Sequence, residues 1–318
     1  MNGITAIIRK ELADHFSSYR FIILFALIAM VSLITTYMVG MGLKEELGSV
    51  AKPRFVFLML FTSTGPVFSL VQFVAFFGPL IGLVLGFDAI NRERSSGTLS
   101  KLASQPIYRD AIINAKFLSG VVTIAIMVGA IVLVVSGLGL KLVGVVPGLE
   151  ELWRIVIYLI ISIFYISFWL GISILFSILF RGIATSALAT LAIWIFFSFF
   201  VSMGATVVAN SLVPLDTRED PERLMRHLRV QRVVSLVSPM QLYNDSTAII
   251  IDPMRKTTRS LVLMGPIERL SSARFRRPLA LSQSIYVVLP HMITVIAITF
   301  ICFGVSYAVF MRQEIRST

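Results

Sequence analysis

The chain has 318 residues, 57% of them hydrophobic and only 14% charged, with a formal net charge of +11. Soluble domains carry about a quarter charged residues, and a mean hydropathy of +0.88 excludes a water-solvated enzyme, a disordered tail and a fibrous protein. A polytopic membrane protein remains, and because its apolar residues come in unbroken runs and do not alternate, it crosses as helices and not as a β-barrel.

At the N-terminus, Ile4, Ile7, Ile8, Leu12, Phe16 and Tyr19 recur at helical spacing with Lys10, Asp14 and Ser17 opposite. That pattern predicts an amphipathic interface helix over 1–20. Six runs then reach the ~20 residues a helix needs to cross the hydrocarbon layer: Phe21–Gly42, Pro66–Phe87, Phe117–Leu140, Ile155–Phe180, Ala184–Ala209 and Ile285–Met311. The first is too long for a signal-peptide core and reads as a retained span. The expected layout is an all-α polytopic membrane protein of six transmembrane helices. Spans one to five fill 21–209 with a cytoplasmic loop at 88–116, an extracytoplasmic domain occupies 210–284, and 285–318 holds the sixth span and tail.

An even number of spans leaves both termini on one side. Short segments on that side hold 11 Lys and Arg against 5 on the other, so the positive-inside rule places both termini in the cytoplasm, with the chain in the cell membrane. Basic residues between apolar runs serve topology and headgroup contact, not nucleic acid. The 210–284 segment carries 12 Lys and Arg, but long loops translocate regardless of charge. In it, Asp220-Pro221-Glu222 starts a helix running to Val237 with Arg223, Arg226, Arg229 and Arg232 on its polar side. A second helix begins after Ser238-Pro239 and stops at Asp252-Pro253. The segment reads either as a docking surface for an extracytoplasmic partner or as a basic helix on headgroups.

No G-x-x-x-x-G-K-[ST] phosphate loop, HExxH motif, cysteine pair or histidine cluster is present, so the chain is expected to bind no cofactor and to hydrolyse no ATP itself. The single cysteine, Cys302, excludes an intrachain disulfide. The six runs contain no Asp, Glu, Lys or Arg, whereas ion-coupled transporters need an intramembrane carboxylate. Gly78, Gly82 and Gly86, with Pro79 among them, mark a face for close helix packing. A candidate substrate path is formed by Tyr158, Tyr165 and Trp169 on one face of the fourth span, by Ser198 and Ser202 in the fifth, and by His291 in the sixth. Interhelical hydrogen bonding accounts for the same residues, and for His291 a bond to a carbonyl freed by Pro290.

The sharpest feature is the loop after the second span. The helix runs out through Asp88 and Glu93 and breaks at Ser96-Gly97. A short helix then starts near Thr98, carries Leu99 and Leu102 on one side, and ends at Pro106. A two-leucine helix below the bilayer reads as a knob for a cytosolic partner's groove, the alternative being a re-entrant linker. The pattern D-x-I-x-x-E-x-x-x-G-T-L-x-x-L-x-x-x-P-x-x-R, followed by Lys116 at the next span, resembles the ABC-2-type transporter permeases. It is closest to the subgroup containing the permease of the nitrous-oxide-reductase copper-maturation transporter. The matching residues are Asp88, Ile90, Glu93, Gly97, Thr98, Leu99, Leu102, Pro106, Arg109 and Lys116. Ile8-Arg9-Lys10-Glu11-Leu12, Ser238-Pro239 and Leu242-Tyr243 are also similar to that family, while the large basic 210–284 segment departs from its compact members. The resemblance implies a membrane subunit paired with a second, usually identical, permease. Two separate ATPase subunits, which hold ATP and Mg, would dock on a coupling helix at 98–104, with Asp88, Glu93, Gly97, Thr98, Leu99, Leu102 and Pro106 as the coupling residues. Export is the usual direction. The rival readings are a membrane scaffold for a maturation or assembly complex and a secondary transporter.

Overall fold

The computed structural model describes residues 3–47, 55–62, 69–98, 108–214, 221–254 and 278–313, and no strand occurs among them. The helices, in chain order, are α1 (Gly3–Ser17), α2 (Tyr19–Leu47), α3 (Val56–Met59), α4 (Leu70–Gly86), α5 (Asn91–Ser95), α6 (Arg109–Val143) and α7 (Leu149–Leu179). After them come α8 (Ile183–Ile195), a π-helical turn (Phe196–Phe200), α9 (Val201–Leu212), α10 (Pro221–Ser235), α11 (Pro239–Ile251) and α12 (Leu281–Arg312). Six stretches among the described residues are long and apolar enough to span a bilayer: Tyr19–Lys44, Leu70–Ser95, Arg109–Val143, Leu149–Leu179, Ile183–Leu212 and Leu281–Arg312. The chain is a multi-pass, all-helical membrane protein.

Local chemistry sets the helix ends. Ser69 caps α4 by accepting from the Gln72 amide at 3.1 Å, while the Gln72 side chain accepts from the Ser69 amide at 3.1 Å, a reciprocal capping box. Gly144, at φ +69°, closes α6 in the left-handed conformation that glycine adopts without a Cβ penalty. Glu151, three residues into α7, accepts from the Gly148 amide at 2.8 Å and from the Phe57 amide at 3.2 Å, tying α3 to the start of α7. The fourth span therefore begins at Leu149, earlier than the apolar run suggests, with Glu151 and Arg154 buried inside it.

The centre of the bundle is α7, which packs against α4, α6, α8, α11 and α12. Lipid is as apolar as leucine, so helices in a bilayer associate through close packing and interhelical hydrogen bonds. Both are present on α7. Ser173 Oγ donates to the Leu83 carbonyl at 2.9 Å, and Tyr165 Oη donates to the Ala75 carbonyl at 2.7 Å, both on α4. From α12, Thr299 donates to the Phe164 carbonyl at 3.0 Å and Ser306 to the Gly171 carbonyl at 3.1 Å. Gly78, Gly82 and Gly86 form the face of α4 turned to α7: a Cβ on Gly82 would lie 2.7 Å from the Ile166 oxygen.

The described part of 210–284 packs onto the bundle. Helix α10 runs back along α9, with His227 Nδ1 2.9 Å from the Val213 carbonyl and Gln231 Nε2 donating to Thr206 at 3.0 Å. The chain turns at Ser238, whose hydroxyl donates to the Phe197 carbonyl at 3.1 Å, halfway along the fifth span. Helix α11 then returns through the bundle interior, its Leu242, Tyr243 and Ile251 sharing one core with the spans. The two helices start at Pro221 and Pro239, where the two proline motifs place them.

Candidate functional site

The end of the bundle that bears both termini brings the loop motif together with the N-terminal helix. After α4 the chain turns through 87–90. There the Ile90 and Asn91 amides donate to Ser177 Oγ on α7 at 2.9 and 3.1 Å, fixing the start of α5. Glu93 is buried on α5, with Oε1 3.0 Å from Lys116 Nζ on α6 and 3.6 Å from Lys10 Nζ on α1. The same Lys116 nitrogen lies 3.0 Å from Glu11 Oε1, and its side chain is only 4% exposed. Glu11, Glu93 and Lys116, from three helices, thus pair out of water, where an unmatched charge would cost several kcal/mol, and the exposed Lys10 supplies the second positive charge from the rim. Glu93 Oε2 is buried with no hydrogen-bond partner among the described residues. On α1, burial works to raise the Glu11 carboxyl, but Lys116 and then Lys10 outweigh it and hold it below its ordinary value. Burial pulls Lys10 down while Glu11, Glu93 and Asp14 raise it, and the carboxylates prevail.

Around this cluster, Asp88 accepts from Arg20 at 3.0 Å, linking the ends of the first two spans, and Arg20 sits over the Phe87 ring at 5.3 Å. The Ser96 and Thr98 hydroxyls each lie 3.3 Å from the Glu93 carbonyl oxygen and 2.8 Å from each other, so one of them donates to the carbonyl and the other to its neighbouring hydroxyl. Gly97, at φ +68°, reverses the chain between them. Arg94 donates to Gln313 at 2.8 Å, and Arg109 donates to the Phe310 and Gln313 carbonyls at 3.2 and 2.6 Å, so α5 and α6 also grip the end of α12. A cavity of about 550 Å³ opens between α1 and this loop, lined among others by Lys10, Glu11, Arg20, Asp88, Glu93 and Thr98. Of the seven coupling residues named from sequence, Asp88, Glu93, Gly97 and Thr98 converge here. Leu99, Leu102 and Pro106 lie outside the described residues.

The residues named for a substrate path are divided by the structure. Tyr158, Tyr165 and Trp169 are fully buried. Tyr165 stacks on Tyr243 of α11 at 4.4 Å, Tyr243 shares a 2.8 Å hydrogen bond with Ser162, and Tyr158 meets the Phe61 ring edge-on at 6.1 Å. This face of α7 is occupied by α11 and the segment around Phe61. Ser202, by contrast, lines a cavity of about 600 Å³ towards the end opposite the termini, with Gln72, Gln231, Arg232, Asn244 and Asp245. Ser198 is half-buried. His291 lies with Nε2 3.9 Å from Asp245 Oδ2, and Asp245 accepts from Arg232 at 3.1 Å and from Gln241 at 3.1 Å.

Two groups here escaped the reading of the sequence. Asp245, outside all six runs, is a carboxylate buried against them. Arg154, counted there as a loop cation, is fully buried. Its guanidinium donates to the Ile249 and Ile250 carbonyls at 3.4 and 3.1 Å, to Ser284 at 3.1 Å, to the Leu279 carbonyl at 2.7 Å and to Glu150 at 2.9 Å. It holds the carbonyls at the C-terminal end of α11 that the helix itself leaves unsatisfied. The only sequence sign was an arginine immediately before an apolar run with Glu150 four residues earlier.

Over 148 residues the chain is 30% identical to the protein named probable ABC transporter permease protein NosY of Stutzerimonas stutzeri. The matched stretch covers 44% of this chain and 49% of that relative, about half the length of each. A family model described as ABC-2 family transporter protein matches residues 5–315, from α1 to beyond the last described turn of α12. The chain belongs to the ABC-2 family of transporter proteins.

Proposed function

We propose that this chain is the membrane subunit of an ATP-binding-cassette exporter, driven by separate ATPase subunits that dock at the end bearing the termini. The observation that carries this reading is the buried Glu11–Lys116–Glu93 junction. A loop held by a matched ion cluster, by Ser177 and by the end of α12 is stiff enough to pass a push from a docked subunit into the bundle. The 98–104 segment is the coupling helix on this reading, with Leu99 and Leu102 as its anchors, three residues apart and so on one side of a helix. Both termini face the cytoplasm, ATP and Mg reside in the partner, and a second copy of this chain completes the pathway. The name of the relative, a permease, supports the assignment.

Co-purification tests it. The tagged chain should bring down a phosphate-loop ATPase, identified by its peptides in mass spectrometry. Burial of each leucine contributes about 1.5–3 kcal/mol, so Leu99→Asp with Leu102→Asp should remove that partner while the chain still inserts. Normal capture by the double variant would show that the leucines are not the contact.

A further inference from the structure

We propose that the exposed face of α10 binds the phosphate headgroups of anionic phospholipid, with Arg223, Arg226 and Arg229 as the cationic contacts. The site lies in the leaflet at the end of the bundle opposite the termini. It does not depend on the docking of an ATPase.

Depth is the first argument. Three contacts fix how α10 lies against the fifth span: His227 beside Val213, Gln231 beside Thr206, and Ser238 beside Phe197. That span ends at Leu212. Arg226 and Arg223, one position and one turn outward from His227, therefore lie just beyond the apolar end of the span, and Arg229 lies just within it. Headgroup phosphates occupy this level.

The second argument is the change of character along the exposed face. Its outer half exposes Glu222, Arg223, Arg226 and Arg229 together with Leu224, whereas inward of Arg229 the exposed side chains are Val233 and, just past the end of the helix, Val237. A helix in water shows its polar face along its whole length, whereas the exposed charges of this one are confined to its outer part. Beside it, α9 exposes Met203, Val207 and Leu212, so the surface continues as one that faces acyl chains. Arginines recurring every three residues spread over an arc of about 120° at 100° per residue, and a guanidinium fork matches the geometry of a phosphate. The Arg226 side chain is 69% exposed, and its partner Glu222, at 3.3 Å, is more exposed still. That surface pair is worth little in water and leaves the arginine able to turn to a phosphate.

Charge decides the occupant. A second copy of this chain related by a two-fold axis would set arginine against arginine, and zwitterionic lipid offers the row no net charge. Anionic phospholipid offers a phosphate at the required depth over the whole row.

The test uses the full chain, purified in detergent and titrated with phosphatidylglycerol or phosphatidylcholine, the bound lipids being resolved one at a time by native mass spectrometry. The parent should prefer phosphatidylglycerol. Arg226→Gln should weaken the tightest phosphatidylglycerol site about fivefold, as expected for one basic residue at an anionic surface. The combined Arg223→Gln, Arg226→Gln and Arg229→Gln variant should lose the tightest phosphatidylglycerol site while the weaker ones stay, with an unchanged melting temperature in phosphatidylcholine. Should the triple variant fail to fold, the single exposed substitution still decides. Unaltered phosphatidylglycerol affinity in Arg226→Gln, or a tightest site kept at parental affinity in the folded triple variant, overturns the proposal. Either result is what an acidic protein partner on this face would give.

Discussion

Gly82→Ala probes the contact on which the bundle is built. A Cβ at this position would lie 2.7 Å from the Ile166 carbonyl oxygen and 2.7 Å from the Leu170 nitrogen, well inside the 3.4 Å at which ordinary contact begins. Both are backbone atoms of α7, which cannot rotate away as a side chain does, so the helices themselves must part. Parting them also loosens Gly78 against Ile166 and Gly86 against Ser173. Overpacking of this kind costs about 1–3 kcal/mol, or a fall of about 2–6 °C in melting temperature at about 2 °C per kcal/mol for a large chain. Gly204→Ala is the control. Nothing lies within 4 Å of its added Cβ, and alanine favours a helix over glycine by about 0.5–1 kcal/mol, so this variant should melt at or slightly above the parent. Thermal unfolding in detergent, followed by size-exclusion chromatography, measures both. If Gly82→Ala matches the parent, or Gly204→Ala falls as far, close approach at the glycine face is not what holds α4 to α7.

Arg154→Ala should cost about 2–5 kcal/mol, because it leaves several carbonyl acceptors without their donor at about 1–3 kcal/mol for each buried one, and should raise hydrogen exchange at the amides of α11. Exchange there no faster than in the parent would remove the guanidinium from its structural role. Acidification should release α1 in two steps. Burial holds the His15 imidazole below its ordinary 6.5, so the folded state binds fewer protons than the unfolded one and loses stability as pH falls from that value. Glu11, held below 4.5 mainly by Lys116 against the opposing effect of burial, contributes fully above that value and loses its contribution as pH falls through its lowered one. Limited proteolysis of α1 across this range should show both steps, the upper absent in His15→Gln and the lower absent in Glu11→Gln; a single step common to all three proteins contradicts the assignment.

The six spans were legible because an unbroken apolar run of ~20 residues has few structural alternatives, and the Gly78, Gly82 and Gly86 spacing pointed to the face that α7 covers. Glu93 was legible as a residue of the loop motif, although its partners were not: Lys116 and Glu11 lie far from it in sequence, and nothing in local pattern pairs them. The same distance hid the role of Arg154, whose acceptors Ile249, Ile250 and Leu279 are about a hundred residues away. The aromatic face of the fourth span shows the limit of periodicity. Spacing placed Tyr158, Tyr165 and Trp169 on one side of a helix, but only the three-dimensional position of Tyr243 reveals that another helix occupies that side.

The central helix α7 has a mechanical consequence. It is a rod of 31 residues, about 46 Å long at 1.5 Å per residue, and no proline interrupts it. Near one tip Ser177 receives the Ile90 and Asn91 amides, and near the other Arg154 grips the end of α11. A lever of that length pivoting by about 10° about one tip swings the other by about 8 Å, more than a full helical turn. Tilting the loop while the far end stays still would require stripping Ser177 from its amides or bending α7 against the glycine face of α4. Displacement at one surface of the membrane is therefore geared to displacement at the other through a single rigid member.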